Sequence, residues 1–146
     1  MNDIGHPEIL GPVIALAGWT MLIWLWMYVK RIPAINRSGI DTANWVGGTG
    51  GELDAKLDAK TQWVAHNYNH LHEAPTVFYA MALVLAMIGQ GDGMNATIAW
   101  VYVALRIVHS LWQILNNRVV VRFALFILSS IALMALTLHA AIAFWH

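Results

Sequence analysis

Four long apolar runs constrain this chain more than any other feature of its sequence. The runs at residues 9–29 and 74–89 contain no charged side chain, and those at 96–115 and 123–145 are interrupted only by one Arg and two His in total. A helix needs about 20 such residues to cross a bilayer. Because lipid offers the backbone no hydrogen-bond partner, the runs predict membrane-spanning helices.

The second run is short for a span, so its helix is predicted to begin earlier, in polar sequence. From Glu52 the pattern becomes helical, and we predict that this amphipathic lead-in runs on into the span, with Pro75 loosening or kinking it. The predicted fold class is all-α, an integral membrane four-helix bundle forming one transmembrane domain over residues 1–146. The predicted spans are about 8–30, 62–89, 95–115 and 120–145, with a cytoplasmic loop at 31–61.

The composition agrees with a membrane protein. Apolar residues make up 59% of the chain and charged residues only 11%, whereas soluble domains have roughly 45–50% and roughly 25%. This excludes a typical soluble enzyme and a disordered chain. Eight basic residues balance eight acidic ones, so no net field attracts nucleic acid. The absence of cysteine excludes a disulfide framework and a thiolate metal site.

The charges are distributed unequally between the connecting segments. The first and third segments carry the basic side chains Lys30, Arg31, Arg37, Lys56, Lys60, Arg118 and Arg122. Only acidic residues, Asp3, Glu8 and Asp92, mark the opposite side. The positive-inside rule therefore predicts a multi-pass protein with both termini outside the cytoplasm.

Polar residues inside the second span share a helical face. His66, His70 and Glu73 lie at positions i, i+4 and i+7 of the predicted helix. Two histidines and one carboxylate resemble a metal-ligand set, to which His109 could add a ligand. Neutral histidines that hydrogen-bond across helices in a wet cavity explain the same pattern, and we assign no residue as a metal ligand.

The third span carries a second polar stripe, which consists of Tyr102, Arg106, His109 and Gln113. Arg106 and Glu73 are expected to be the most deeply buried charges. A charge at mid-bilayer costs about 2.5–3.5 kcal/mol on insertion scales and normally finds a partner inside the bundle. We therefore predict that Glu73 pairs with Arg106.

Motifs in the last three spans resemble one family. They are Asn67-Tyr68, Leu71, Glu73, Pro75, Phe78-Tyr79, Ala99-Trp100-Val101-Tyr102-Val103, Arg106-Ile107-Val108-His109-Ser110, Asn117-Arg118 and Arg122-Phe123. In this order they resemble the bacterial branch of the MAPEG superfamily, the membrane-associated proteins in eicosanoid and glutathione metabolism. The resemblance extends over nearly the whole chain.

The resemblance implies a homotrimer of four-helix protomers with glutathione as cofactor. In the family's enzymes glutathione lies between protomers near the cytoplasmic side, an arginine activates its thiol, and a lipophilic electrophile arrives from the bilayer. Arg122 corresponds to that catalytic arginine. The other positions that the resemblance assigns to cofactor binding are His66, Asn69, His70, Glu73, Arg106, His109, Gln113 and Arg118.

Some of these positions differ from the glutathione-using members. His66 and Asn69 stand where those members carry arginines, His70 replaces an asparagine, Gln113 a tyrosine and Phe123 a serine. Histidine has a pKa of about 6.5 and is mostly neutral at pH 7. The second span therefore loses permanent positive charge.

Three functions remain open from the sequence. The first is a glutathione- or thiol-dependent transferase or peroxidase that acts on lipophilic electrophiles. The second is a lipid-binding or scaffold protein without catalysis, and the third is a metal-dependent membrane enzyme. The expected partners are membrane lipids, further copies of the chain and a lipophilic small molecule, and the expected location is the bacterial inner membrane.

Overall fold

The computed structural model describes residues 6–146, and Asp3 lies outside this part of the chain. Residues 6–146 form α-helices joined by turns and loops and contain no β-strand. These are α1 (Leu10–Ser38), α2 (Gly50–Asp54), α3 (Ala59–His70), α4 (Ala74–Met87), α5 (Met94–Leu115) and α6 (Val119–Trp145). Helices α1, α5 and α6 are each long and apolar enough to cross a membrane. The predicted all-helical membrane protein is confirmed.

The helices form an antiparallel bundle. Helix α1 packs against α3, α4 and α5, while α6 packs against α4 and most extensively against α5. At one end the N–H of Ile9 donates to the Gly91 carbonyl (2.9 Å) and the N–H of Glu8 to the Asp92 carboxylate (2.7 Å). We call this the acidic end. The opposite end, where α1 finishes and α5 meets α6, is called the basic end.

The core lies between the helices and is filled by large apolar side chains. Leu16 and Ile23 of α1 are fully buried, as is Phe78 of α4. The Phe78 ring stacks on the ring of Tyr102 from α5, with the centroids 4.5 Å apart. Burying a side chain of this size stabilises a fold by about 1.5–3 kcal/mol, so this contact stabilises the core between α4 and α5.

The helix through the second span is interrupted, contrary to the predicted continuous lead-in. Helix α2 ends at Asp54, and Asp58 caps a new helix by accepting the N–H of Thr61 (3.1 Å). A second break separates His70 from Ala74, and Pro75 lies in the first turn of α4. Proline has no N–H, and its ring clashes with the carbonyl four residues earlier in a continuous helix. The break therefore lies where the sequence predicted that Pro75 would kink or loosen the helix.

Part of the predicted loop 31–61 is helical and packed. Helix α1 continues to Ser38, beyond the predicted end of its span at residue 30. Arg31 donates to the Gly50 carbonyl (2.8 Å) and lies 2.8 Å from the Asp54 carboxylate. Asp54 is buried. Burial raises the pKa of this carboxyl group, and the charge of Arg31 opposes the rise.

Candidate functional site

The polar stripe of α5 faces the interior of the bundle. Tyr102, Arg106, His109 and Gln113 are all buried, with at most 3% of each residue exposed. Their spacing along the sequence places them on one side of the helix. On that side Arg106 contacts α3 and Tyr102 contacts α4. The third span therefore supplies buried polar groups to the centre of the protomer.

An open cleft of about 280 Å³ lies where the α3–α4 break meets α5 and the first turns of α6. Four of the predicted site residues line it. The complete lining is His70, Glu73, His109, Val119, Arg122, Phe123 and Phe126. The cleft therefore has a polar wall from α3, α4 and α5 and a largely apolar wall from α6. We call it the Arg122 cleft.

The break after α3 shapes the polar wall of this cleft. Nδ1 of His70 lies 2.5 Å from Oε2 of Glu73. The His70 ring also packs beside the ring of His109, with the centroids 5.0 Å apart, and 6.0 Å from that of Phe126. His70 thus lies between Glu73, His109 and Phe126, three of the residues that line the cleft.

The predicted pair between Glu73 and Arg106 is wrong for the protomer. Nη2 of Arg106 donates instead to the backbone carbonyl of His70 (3.1 Å). The break exposes this carbonyl to Arg106 and turns Glu73 outward, so that 66% of the Glu73 side chain is exposed. Nε and Nη1 of Arg106 are buried without a hydrogen-bond partner among residues 6–146. A buried guanidinium with unused donors favours an anionic partner.

Arg122 lies in the first turn of α6 and is oriented by the turn before it. Its Nη1 donates to Oδ1 of Asn117 (2.7 Å), and Asn117 adopts the left-handed conformation with φ 57°. Asparagine tolerates this conformation better than most residues. Nε of Arg122 is buried and has no hydrogen-bond partner within the described chain. The motif Asn117-Arg118 is part of the family resemblance in the sequence. The role of Asn117 in holding Arg122 was not predicted.

Five predicted cofactor-binding residues do not line the cleft, and one of them, Arg106, lies behind His70. His66 and Asn69 are exposed on α3, and Arg118 is exposed at the residue that precedes α6. Gln113 is buried, and its Oε1 has no hydrogen-bond partner among residues 6–146. Within the protomer, the structure therefore brings together His70, Glu73, His109 and Arg122, with Arg106 directly behind them.

A polar contact between three helices was not predicted from the sequence. The hydroxyl of Ser110 on α5 accepts hydrogen bonds from Nε1 of Trp19 on α1 (3.0 Å) and Nδ2 of Asn67 on α3 (2.6 Å). Ser110 is fully buried. Its helical spacing from Arg106 is the only sequence signal for this position. The contact fixes how α1, α3 and α5 pack and so supports the polar wall of the cleft.

The histidine-rich face of the second span does not assemble a metal-ligand set in the protomer. Within residues 6–146, no three side chains of the types His, Asp and Glu converge in a group that could hold a metal ion. His70 is close to Glu73 and His109, but His66 lies on α3 away from the cleft.

Helices α3 and α4 present an exposed seam with a regular spacing. Its members recur at alternating intervals of three and four residues, and all are exposed. They are His66, Asn69, Glu73, Thr76, Ala80, Leu83 and Met87. Within α4 this is the spacing by which helices associate along a supercoiled interface. The break at residues 71–73 separates this part of the seam from His66 and Asn69 on α3. Four of the seven are polar, and polar groups in a membrane normally face protein or water. We call these residues the α3–α4 seam.

Comparison with known proteins identifies a family match. The sequence model described as the MAPEG family matches residues 9–142, nearly the whole chain. No curated protein and no solved structure matches the chain.

Proposed function

The chain belongs to the MAPEG family, and from this we propose that it is a membrane enzyme that joins glutathione or a related thiol to a lipophilic electrophile. The observation that carries the proposal is the Arg122 cleft. It combines a guanidinium that has an unused donor with an apolar wall on α6. A thiol substrate needs the first feature and a lipophilic acceptor needs the second.

The unpaired polar atoms fit an anionic ligand such as glutathione. Arg122 offers Nε, and Arg106 offers Nε and Nη1 from behind His70. Carboxylates bind guanidinium groups through paired, charge-assisted hydrogen bonds. These donors support the proposal that the acidic groups and the sulfur of the ligand bind here. His66 and Asn69 contribute no permanent cation to this binding.

Bound glutathione would lose its thiol proton to water and supply the sulfur that bonds to the electrophilic carbon, while the leaving group departs with the electrons of the bond that breaks. Arg122 provides a positive charge that favours the ionised form of a nearby thiol. Asn117 keeps the guanidinium directed at the cleft through the 2.7 Å hydrogen bond. Phe123 and Phe126 line the apolar wall and offer a lipophilic acceptor a surface from which water is excluded.

Conjugation of glutathione to an aryl halide by the purified protein tests this function. Arg122→Ala should lower kcat/KM by about 10- to 150-fold, because a hydrogen bond to a charged group contributes about 1.5–3 kcal/mol. Lys56→Ala, which removes an exposed cation outside the cleft, should leave the rate unchanged. Equal rates for wild type and Arg122→Ala would refute the proposal.

We also propose that the protein is a homotrimer assembled through the α3–α4 seam. The polar residues of the seam support this arrangement, because a trimer would remove Glu73 and Asn69 from lipid. A neighbouring protomer would then cover the open side of the Arg122 cleft, which contains Glu73. The family's expected glutathione site between protomers is consistent with this geometry.

The proposed orientation in the bacterial inner membrane places the basic end in the cytoplasm and both termini outside. Met94 and Leu115 mark the two ends of α5 and are similarly exposed, at 70% and 68%. A membrane-impermeant maleimide should label Met94→Cys but not Leu115→Cys when added outside spheroplasts. The reverse pattern would invert the topology.

A non-catalytic lipid-binding or scaffold protein is the second candidate. The specific observation in its favour is that His66 and Asn69, which replace the family's arginines, are exposed and outside the cleft. Calorimetric titration with glutathione separates the candidates. A protein that binds no glutathione, yet remains assembled, would be assigned to this second function.

A further inference from the structure

A second cavity of about 390 Å³ lies at the basic end of the bundle, between α1, α3 and α5. It is separate from the Arg122 cleft, with which it shares no residue. Its charged and aromatic lining residues are Lys30, Arg37, Lys60, Asp58, Trp26 and Trp63. The proposed thiol chemistry uses none of them. We call this space the basic cavity.

The charge of the basic cavity favours an anion. Three cations line it, two from α1 and one from α3, against one carboxylate, that of Asp58. This carboxylate already accepts the N–H and the hydroxyl of Thr61, at 3.1 Å and 2.6 Å. These hydrogen bonds hold the pKa of Asp58 below its usual range. Asp58 therefore stays ionised, but its one negative charge does not cancel the three positive charges, so the lining has a net positive charge.

The other walls of the basic cavity are apolar and lie where a membrane surface is expected. Trp26 and Trp63 are half-buried, and Ile114 and Leu115 complete the wall from the last turn of α5. Tryptophan is enriched at the level of lipid headgroups. Lys30 directly follows the uncharged run of α1, so this cation is expected at the edge of the hydrocarbon region. Free phosphate would make no favourable contact with these apolar walls, whereas the acyl chains of a lipid would.

We infer that the basic cavity binds the phosphate headgroup of an anionic phospholipid, with the acyl chains lying against Ile114, Leu115 and the two tryptophans. Anionic lipids are attracted to basic residues beside a span by about 1 kcal/mol per Lys or Arg. The cavity adds a defined place for the headgroup to this general attraction.

Tryptophan quenching in phosphatidylcholine vesicles tests the inference. The full-length protein is reconstituted, and phosphatidylglycerol with brominated acyl chains is added in steps. Quenching should saturate at a much lower lipid fraction than with brominated phosphatidylcholine, and unbrominated phosphatidylglycerol should reverse it. Trp26→Phe together with Trp63→Phe should remove the saturable part. Equal quenching by the two brominated lipids would overturn the inference.

Charge variants distinguish the basic cavity from a generally basic surface. Lys30→Gln, Arg37→Gln and Lys60→Gln should each raise the half-saturating fraction about fivefold, which corresponds to about 1 kcal/mol per cation. Lys56→Gln removes an exposed cation that lies over the Trp45 ring, outside the cavity, and should change nothing. Equal weakening by Lys56→Gln would show non-specific attraction and overturn the inference.

Two further measurements address the carboxylate and the source of the phosphate. Asp58→Asn retains a residue suited to capping α3 but removes the negative charge, so it should tighten lipid binding. Glycerol phosphate or inorganic phosphate at millimolar concentration should not reverse the quenching. Reversal by either soluble anion would identify it as the ligand and overturn the assignment to lipid.

Discussion

Asn117 holds the arginine of the cleft through both its backbone and its side chain. The left-handed backbone turns the chain from α5 into α6, and Oδ1 accepts the hydrogen bond from Arg122. A residue with a Cβ generally loses roughly 1–2 kcal/mol in this conformation, whereas glycine does not. Backbone and side-chain roles can therefore be separated by mutation.

We expect Asn117→Gly to keep nearly the wild-type free energy of unfolding and to lower thiol-transfer activity. Asn117→Ala should lower the activity similarly and, in addition, reduce the free energy of unfolding by about 1–2 kcal/mol, because alanine is strained in the left-handed region. Denaturation in detergent and the conjugation assay measure the two effects. Equal stability of the two variants would contradict the strain argument.

Asp54 is a buried carboxyl group whose pKa is raised by burial and partly restored by Arg31. Since the folded pKa lies above the ordinary value of 3.8, the bound proton stabilises the fold. This contribution is fully present below that value and is lost as the pH rises through the folded pKa. Asp54→Asn resembles the protonated form at every pH. We expect its Tm to exceed that of wild type at neutral pH, with the two values converging below pH of about 4.

Asp58→Asn provides the comparison of opposite sign, because hydrogen bonds from Thr61 lower the pKa of Asp58. Its ionised form stabilises the fold above the unfolded pKa, and this contribution is lost as the pH falls through the lowered folded pKa. At neutral pH Asp58→Asn should therefore have a lower Tm than wild type.

For the Asp54 prediction, the contradicting outcome is a fall in Tm of Asp54→Asn at neutral pH. That fall would mean that pairing with Arg31 stabilises the ionised carboxylate more than burial destabilises it.

At the level of helices, sequence periodicity predicted which faces turn inward but not where the second span breaks. The stripe that contains Arg106 and His109 is buried as its spacing indicates. The partner of Glu73 could not be predicted, because the assumption of one continuous helix fails at residues 71–73. The cleft also depends on the turn at Asn117, which periodicity does not describe. Local sequence patterns thus predicted which helix faces are buried. The shape of the cleft depends instead on the break at residues 71–73 and on the turn at Asn117.

Removing Pro75 tests the origin of the break. In Pro75→Ala the clash with the carbonyl of residue 71 disappears, so we expect α3 to continue towards α4 and the His70 carbonyl to leave Arg106. Amide hydrogen exchange of residues 71–74 should slow. Pro33→Ala, which changes a proline inside α1, should leave exchange in this segment unchanged. Unaltered exchange in Pro75→Ala would place the cause of the break elsewhere.

At the scale of the whole molecule, exposed apolar surface on α1 and α6 suits lipid, whereas the α3–α4 seam does not. The chain contains no cysteine, so any introduced cysteine is unique in each protomer. We expect Ala80→Cys, within the seam, to form disulfide-linked dimers under mild oxidation. Ala104 is also exposed but lies on α5, so Ala104→Cys should remain monomeric on a denaturing gel. Cross-linking only through α5 would contradict the proposed trimer interface.

The interrupted α3–α4 region, where the second span is predicted, also bears on how the protein enters the membrane. Helix α4 has only 14 residues, and α3 is polar along most of its length, so neither satisfies the usual requirement of about 20 apolar residues. Helices α1 and α5 are long and apolar, and both pack against α3. We therefore expect the translocon to release the second span into the bilayer together with a neighbour, as a helical hairpin. Biogenesis of the site then depends on α1 or α5 before any ligand is present.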